Sequence, residues 1–127
     1  MRDLLQTGAE MLDRVRKREM ARTVTYVRGA ASVELAATVG KTMFPVDNGT
    51  AAPVTFESRD YIVSAADLVL GGEQALPERG DRIRDEFGGT VHVYEVMVPG
   101  GQLHYRLSGP EQNILRIHTK LVDTEEV

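Results

Sequence analysis

Two short stretches and one group of histidines carry residue types that could perform chemistry or bind a partner. The first is Arg79-Gly80-Asp81, the tripeptide that cell-adhesion proteins display to integrins. Pro77 fixes a backbone angle just before it, Gly80 permits a positive φ, and an aspartate can accept a hydrogen bond from its own backbone. We interpret the tripeptide as a tight turn that leads into a strand from Arg82 to Phe87.

The second stretch, Val39 to Met43, has the Gly-Lys-Thr order that ends a phosphate-binding loop. Such a loop needs a glycine five residues before Gly40, where this chain has Leu35, and a helix after the lysine. Pro45 and Gly49 follow instead. The pattern therefore argues against a nucleotide site.

The third group consists of His92, His104 and His118, which fall on three different predicted strands. Two of them could converge on a metal ion, but none has the paired spacing of a zinc motif. The chain has no cysteine, which excludes a thiolate metal site, a cysteine nucleophile and a disulfide framework. We predict that no metal or other cofactor is bound.

Carboxylates and hydroxyls leave a hydrolase open as an alternative. Two acids among Asp60, Asp67 and Glu95 could act as a pair, but the sequence does not reveal their separation in space. The serines that lack the context of a nucleophile elbow are Ser58, Ser64 and Ser108. We predict that the protein is not an enzyme.

Length and charge limit the remaining possibilities. The 127 residues predict one domain, residues 1–127, and no run approaches the roughly 20 apolar residues of a membrane span. Met1 to Arg28 carries seven basic and four acidic residues, a net of +3, whereas Gly29 to Val127 carries eight and fifteen, a net of -7. The basic segment is either a solvated helix face or a contact for an acidic partner, such as a neighbouring copy.

Hydrophobic periodicity then places the elements. Apolar residues recur at helical spacing up to about residue 21, and residues 22–122 change to strand-like alternation with glycine or proline at nearly every junction. The alternation slips near Ser58 to Asp60, where we expect a β-bulge. We predict a mainly β fold: a small antiparallel β-barrel or sandwich of about seven short strands with one N-terminal α-helix (1–21), a long loop (42–53) and an acidic tail (123–127).

Six segments follow one another in a distinctive order after the predicted helix: "ARTVTYVRG", "SVELAATVG", "ESRDYIVSAADL", "GDRI", "HVYEVMVPGGQ" and "ILRIHTK". This order resembles the small head-to-tail joining proteins of long-tailed phages, the lambda-type head-tail attachment family of head completion or stopper proteins. A Gly-Asp turn before a strand and a Pro-Gly turn after the next one are part of the resemblance.

The resemblance implies a structural virion protein that is made in the bacterial host cytoplasm. Its subunits would form a ring of about six or twelve copies, as closed assemblies of identical chains do. The ring would join the portal or adaptor protein of a DNA-filled head to the tail terminator or tail tube proteins. Packaged DNA would pass through the channel without sequence recognition, and no membrane would be involved.

The resemblance also implies which residues contact other subunits. The long loop corresponds to an arm that becomes ordered on assembly, and the basic helix could contact an acidic neighbour. The candidate interface residues are Met43, Phe44, Val46, Asn48, Arg14, Arg18 and Arg22.

Two other readings stay open beside an enzyme. One is a small β-barrel that binds an oligonucleotide or another ligand, although an aromatic content of 6%, no tryptophan and an acidic strand region disfavour it. The other is a tail-completion protein of the same particle.

Overall fold

Alternating apolar residues produce β-strands throughout the described part of this computed structural model, which covers residues 21–46, 54–99 and 103–126. The mainly β class is confirmed, and residues 1–20 of the predicted helix lie outside the described residues. The elements are β1 (Arg22–Arg28), β2 (Ala31–Val46), β3 (Val54–Ser64), a 3-10 turn (Ala65–Asp67), β4 (Val69–Leu70), β5 (Glu73–Gln74), β6 (Arg82–Phe87), β7 (Thr90–Val96), β8 (Tyr105–Ser108) and β9 (Ile114–Glu126).

Seven of these strands form one antiparallel sheet in the order β3-β2-β1-β6-β7-β9-β8. β3 also pairs with β9, so β1, β2, β3, β6, β7 and β9 each have a paired neighbour on both sides. The length of β9 makes this possible. Its residues 114–119 pair with β3, 114–117 pair with β8, and 119–126 pair with β7.

The inward side chains of these six strands form the hydrophobic core. Tyr26, Tyr61, Ile83, Leu115 and Ile117 have no exposed surface, and all five belong to one cluster. Burying a large apolar side chain contributes about 1.5–3 kcal/mol. Packing inside the circuit of strands is therefore a main source of its stability.

The β2–β3 hairpin continues past the other strands as an arm. Pairing of β2 with β1 ends at Ala37, and pairing of β3 with β9 ends at Arg59. Residues 42–46 of β2 and 54–58 of β3 pair only with each other within the sheet, and we call these two segments the arm. The prediction of a loop over 42–53 is thus wrong for residues 42–46, because the ladder with β3 continues through Pro45.

Two other boundary predictions are corrected at β9 and β3. β9 continues through Glu126, so residues 123–126 of the predicted acidic tail pair with β7, and Arg84 donates two hydrogen bonds to Glu125. The bulge expected near Ser58 to Asp60 is absent, since the register of β3 with β2 is regular there. The alternation slips because both faces of β3 are buried at this point.

The tight turn at Arg79-Gly80-Asp81 is confirmed. Gly80 has a φ of +94°, and the Asp81 side chain is 5% exposed. Its carboxylate accepts hydrogen bonds from the Tyr26 hydroxyl, from the Arg28 guanidinium at 2.8 Å and from the backbone N–H of Glu78 at 2.9 Å. Asp81 therefore stabilises the turn and is not presented to a partner.

Replacing Asp81 tests this structural role. We expect Asp81→Ala to lower the free energy of unfolding by about 3 kcal/mol, because it leaves the buried Tyr26 hydroxyl without an acceptor and removes the carboxylate that pairs with Arg28. Urea unfolding of the purified chain measures the effect. Arg79→Ala, which truncates an exposed neighbour, should change stability by less than about 0.5 kcal/mol, and equal effects of the two variants would contradict the assignment.

Candidate functional site

A buried carboxylate joins the base of the arm to β9. Asp60 has no exposed surface, although it lies on the face of β3 opposite Tyr61 and the hydrophobic core. Its Oδ1 atom accepts hydrogen bonds from Ser58 Oγ at 2.5 Å and lies 2.8 Å from His118 Nδ1. Its Oδ2 atom accepts hydrogen bonds from Arg116 Nη1 at 2.6 Å and from the Thr42 hydroxyl. We call these five residues the Asp60 cluster.

Electrostatics keep this carboxylate ionised. Burial alone would raise the pKa of Asp60, but hydrogen bonds from His118, Ser58, Thr42 and Arg116 outweigh it and lower that pKa well below its usual range. A buried charge without partners costs several kcal/mol. The cluster therefore acts as a structural junction in which each carboxylate oxygen of Asp60 has two partners.

Gly40 and Phe44 complete this junction from the β2 side. Gly40 pairs with Asp60 across the ladder, and a Cβ atom on it would lie 3.3 Å from Arg116 Nη1. The absence of a side chain thus leaves space for the guanidinium to reach Asp60. The Phe44 ring packs edge-on against His118, with centroids 5.1 Å apart. One apolar contact and one ionic contact therefore hold the arm against β9.

A second buried carboxylate, Asp85, lies on β6. Its Oδ2 atom accepts hydrogen bonds from Tyr61 Oη at 2.8 Å and Arg59 Nη2 at 3.0 Å, and Arg22 Nε lies 3.1 Å from Oδ1. Burial chiefly raises the pKa of the Tyr61 phenol, which remains a donor. The Arg59 guanidinium also lies 4.8 Å from the Tyr94 ring centroid. The negative charge of Asp85 is thus compensated within the fold, while the Arg22 side chain stays 37% exposed.

The three histidines do not converge. His92 stacks on Phe87 with centroids 3.7 Å apart, His104 Nε2 lies 2.7 Å from Pro77 O, and His118 contacts Asp60. Among residues 21–46, 54–99 and 103–126, no group of three or more acidic or histidine side chains is arranged to hold a metal ion. The described groups thus contribute to packing and charge compensation.

The described fold thus has buried charges that are compensated internally and a hairpin that projects from the sheet. A comparison with protein families identifies its relatives. The family model described as phage head-tail joining protein matches residues 2–126. The chain belongs to the phage head-tail joining family. Head-tail joining proteins are structural components of phages, and the resemblance drawn from the order of the strands is confirmed. A search of curated proteins found no match.

The described part of this head-tail joining protein contains no helix long and apolar enough to cross a membrane.

The predicted interface residues occupy different positions in the head-tail joining protein. The Met43 side chain is 53% exposed on the arm, whereas Phe44 is 9% exposed against His118. Arg22 begins β1 and pairs with Asp85. Val46 ends β2, and its side chain is not among those described. Asn48, Arg14 and Arg18 lie outside the described residues.

The burial of Asp60 and Asp81 and their pairing with arginines were not predicted from the sequence. Asp60 was considered only as a possible catalytic acid, and Asp81 as part of a turn. The slip in alternation at Ser58 to Asp60 was the available signal, because polar residues in a strand with two buried faces must find partners. Their arginine partners come from other strands, which the sequence alone does not identify.

The lowered pKa of Asp60 predicts acid sensitivity. A carboxylate whose folded pKa lies below its unfolded value of about 3.9 stabilises the fold at higher pH, and this contribution is lost as pH falls through the folded pKa. We expect the free energy of unfolding to decrease progressively below about pH 4. Denaturant unfolding at pH 2–7 checks this. The decrease of the free energy of unfolding with falling pH should be smaller for Asp60→Asn. It should be unchanged for the control Glu73→Gln, which removes an exposed carboxylate. A decrease in Asp60→Asn equal to that of wild type would contradict the assignment.

The contact between Gly40 and Arg116 gives a second prediction. Gly40→Val should lower the free energy of unfolding by about 1–3 kcal/mol, because the added methyl groups displace the guanidinium from Asp60. Chemical denaturation measures this loss, and Lys41→Val provides an exposed control on the same strand. A Gly40→Val variant as stable as this control would show that Arg116 does not need the space.

Proposed function

We propose that the chain is a non-enzymatic subunit of a ring that joins the portal or adaptor of a phage head to the tail. The ring would close the DNA-filled head and provide the surface on which tail terminator or tail tube proteins dock. The observation that carries the proposal is the match of nearly the whole chain to a head-tail joining family. The protein would therefore be a component of the virion.

The architecture supports this role. The circuit of six paired strands favours a barrel-shaped body, and the buried aspartates are neutralised by arginines and hydroxyl groups. A body whose strands are paired and whose buried aspartates are compensated is suited to bearing load between larger assemblies. The arm extends from this body, and its exposed Met43 is available to a neighbour.

Charge supports passage of DNA through such a ring. Gly29 to Val127 carries a net charge of -7, from eight basic and fifteen acidic residues. In addition, Arg28, Arg59 and Arg116 pair with buried aspartates. A net acidic surface would repel phosphates and let duplex DNA move without being retained.

The interface residues remain part of the proposal. Met43 would make direct contact with another subunit, and Phe44 would hold the arm in position from its buried site against His118. We propose contacts for Val46 and Asn48 near the end of the hairpin. Arg14, Arg18 and Arg22 would face an acidic neighbour.

Removing the gene from its phage tests the function. We expect electron micrographs of the lysate to show DNA-filled or leaking heads and separate tails, because the joining surface is missing. The wild-type gene supplied from a plasmid should restore joined particles. Normal tailed particles without any copy of the protein would contradict the proposal, and tight binding of the purified chain to a single-stranded oligonucleotide would favour the alternative of a nucleic-acid-binding barrel.

A further inference from the structure

From Val39 onward, none of the described strands pairs with β2 on the side where β1 lies; we call this stretch the free edge of β2. Arg28 and Ala31 flank the two-residue turn between β1 and β2, so they form a hydrogen-bonded pair. Every second β2 residue from Ala31 therefore directs its backbone groups toward the β1 side. Continued along the strand, this alternation directs the N–H and C=O groups of 39, 41 and 43 to the free edge.

Pro45 is consistent with this assignment. It lies in the same odd-numbered series, so its missing N–H falls on the free edge and not in the ladder with β3. A strand that paired with this edge would find both donors and acceptors at Val39, Lys41 and Met43. It would find no donor at Pro45, which limits the length of the pairing.

A second free edge belongs to β8. The His118 N–H donates to His104 O at 2.9 Å, so even-numbered residues from His104 direct their backbone groups toward β9. Tyr105 and Leu107 accordingly direct their backbone groups to the opposite edge. β8 is the terminal strand in the sheet order, and none of the described strands pairs with it on that side.

The side chains beside the two edges are complementary. Met43 is 53% exposed on β2, and Leu103 and Leu107 are 71% and 37% exposed at β8. Opposed residues of paired strands place their side chains on the same face. An antiparallel alignment of Met43 with Leu103 also aligns Val39 with Leu107, and sets Lys41 beside the Tyr105 ring, where a cation–π contact is favourable.

We propose that the free edge of β2 in one copy pairs with the free edge of β8 in the next copy, which extends the sheet across the subunit boundary. The inference rests on the proposed ring, for which it supplies the contact between neighbours. The chain cannot make this contact with itself, because β3 and β9 lie between β2 and β8 in the pairing order. Since the two edges differ, the contact is head-to-tail and propagates from copy to copy.

Engineered cysteines test this contact, because the chain has none of its own. The full-length Met43→Cys/Leu103→Cys variant would be supplied to a phage that lacks the gene, and tailed particles would be isolated and oxidised. We expect a ladder of disulfide-linked multimers on a non-reducing gel, which collapses to monomer on reduction. Absence of the ladder from tailed particles that contain the protein would overturn the inference while leaving the joining function intact.

Matched variants make the result specific. Met43→Cys alone should give no cross-link, because Met43 lies opposite Leu103 of the next copy in the proposed contact. A disulfide-linked dimer of this variant would indicate a two-fold contact between arms and would overturn the proposal. Glu34→Cys/Leu103→Cys places the first cysteine at an exposed β2 position away from the free edge. A ladder of equal yield from this pair would also overturn it.

A backbone substitution provides a second measurement. Lys41→Pro removes an edge N–H without removing a bond of the β2–β3 ladder, whereas Lys41→Ala retains that N–H. Thermal melting of the two purified variants checks that both fold like wild type. We then expect at least a tenfold loss of joined particles for Lys41→Pro relative to Lys41→Ala. Equal joining by the two variants would contradict a contact through the β2 backbone.

Discussion

The arm depends on the ionic junction at Asp60. A partnerless carboxylate at this buried position would cost about 3–5 kcal/mol, against a total stability of about 5–15 kcal/mol for a typical domain. Arg116 and His118 reach Asp60 from β9, and Thr42 reaches it from β2. Together with the packing of Phe44 on His118, this junction holds the base of the arm against β9.

The same physical solution occurs at the other two buried aspartates. Asp81 is surrounded by Tyr26 and Arg28, and Asp85 by Tyr61 and Arg59. Burial chiefly raises the pKa of both tyrosines, so their hydroxyls remain donors. These arrangements link distant strands through directional contacts. The side chains in these arrangements are already paired with one another within the fold. Contacts with partners would therefore involve the exterior of the sheet and the arm.

Local pattern was enough to predict much of the fold. The change from helical to strand-like periodicity placed the start of the β region at residue 22, where β1 begins, and the strand predicted from Arg82 to Phe87 is β6. Prediction failed where a distant partner overrides a local signal. Pro45 looked like a chain breaker because the sequence does not show that its missing donor faces an unpaired edge, and the acidic end of β9 looked like a tail because the ladder with β7 is not visible locally. The Asp60 cluster was hidden for the same reason, since Arg116 and His118 lie more than fifty residues away in the chain. The roles assigned to Arg14 and Arg18 remain predictions.

The triple pairing of β9 has a consequence for how the molecule is made. β3 and β7 must wait for β9 before the circuit of strands can close, although both precede it in the chain. Loop closure over such separations is slow compared with the formation of a local hairpin. On the ribosome, the β1–β2–β3 ribbon and the β6–β7 hairpin can join through the pairing of β1 with β6, but β3 and β7 keep an unpaired edge until β9 arrives. The nascent chain therefore exposes unpaired strand edges and apolar surface until β9 is made. Chaperone binding during synthesis would protect it from misassembly.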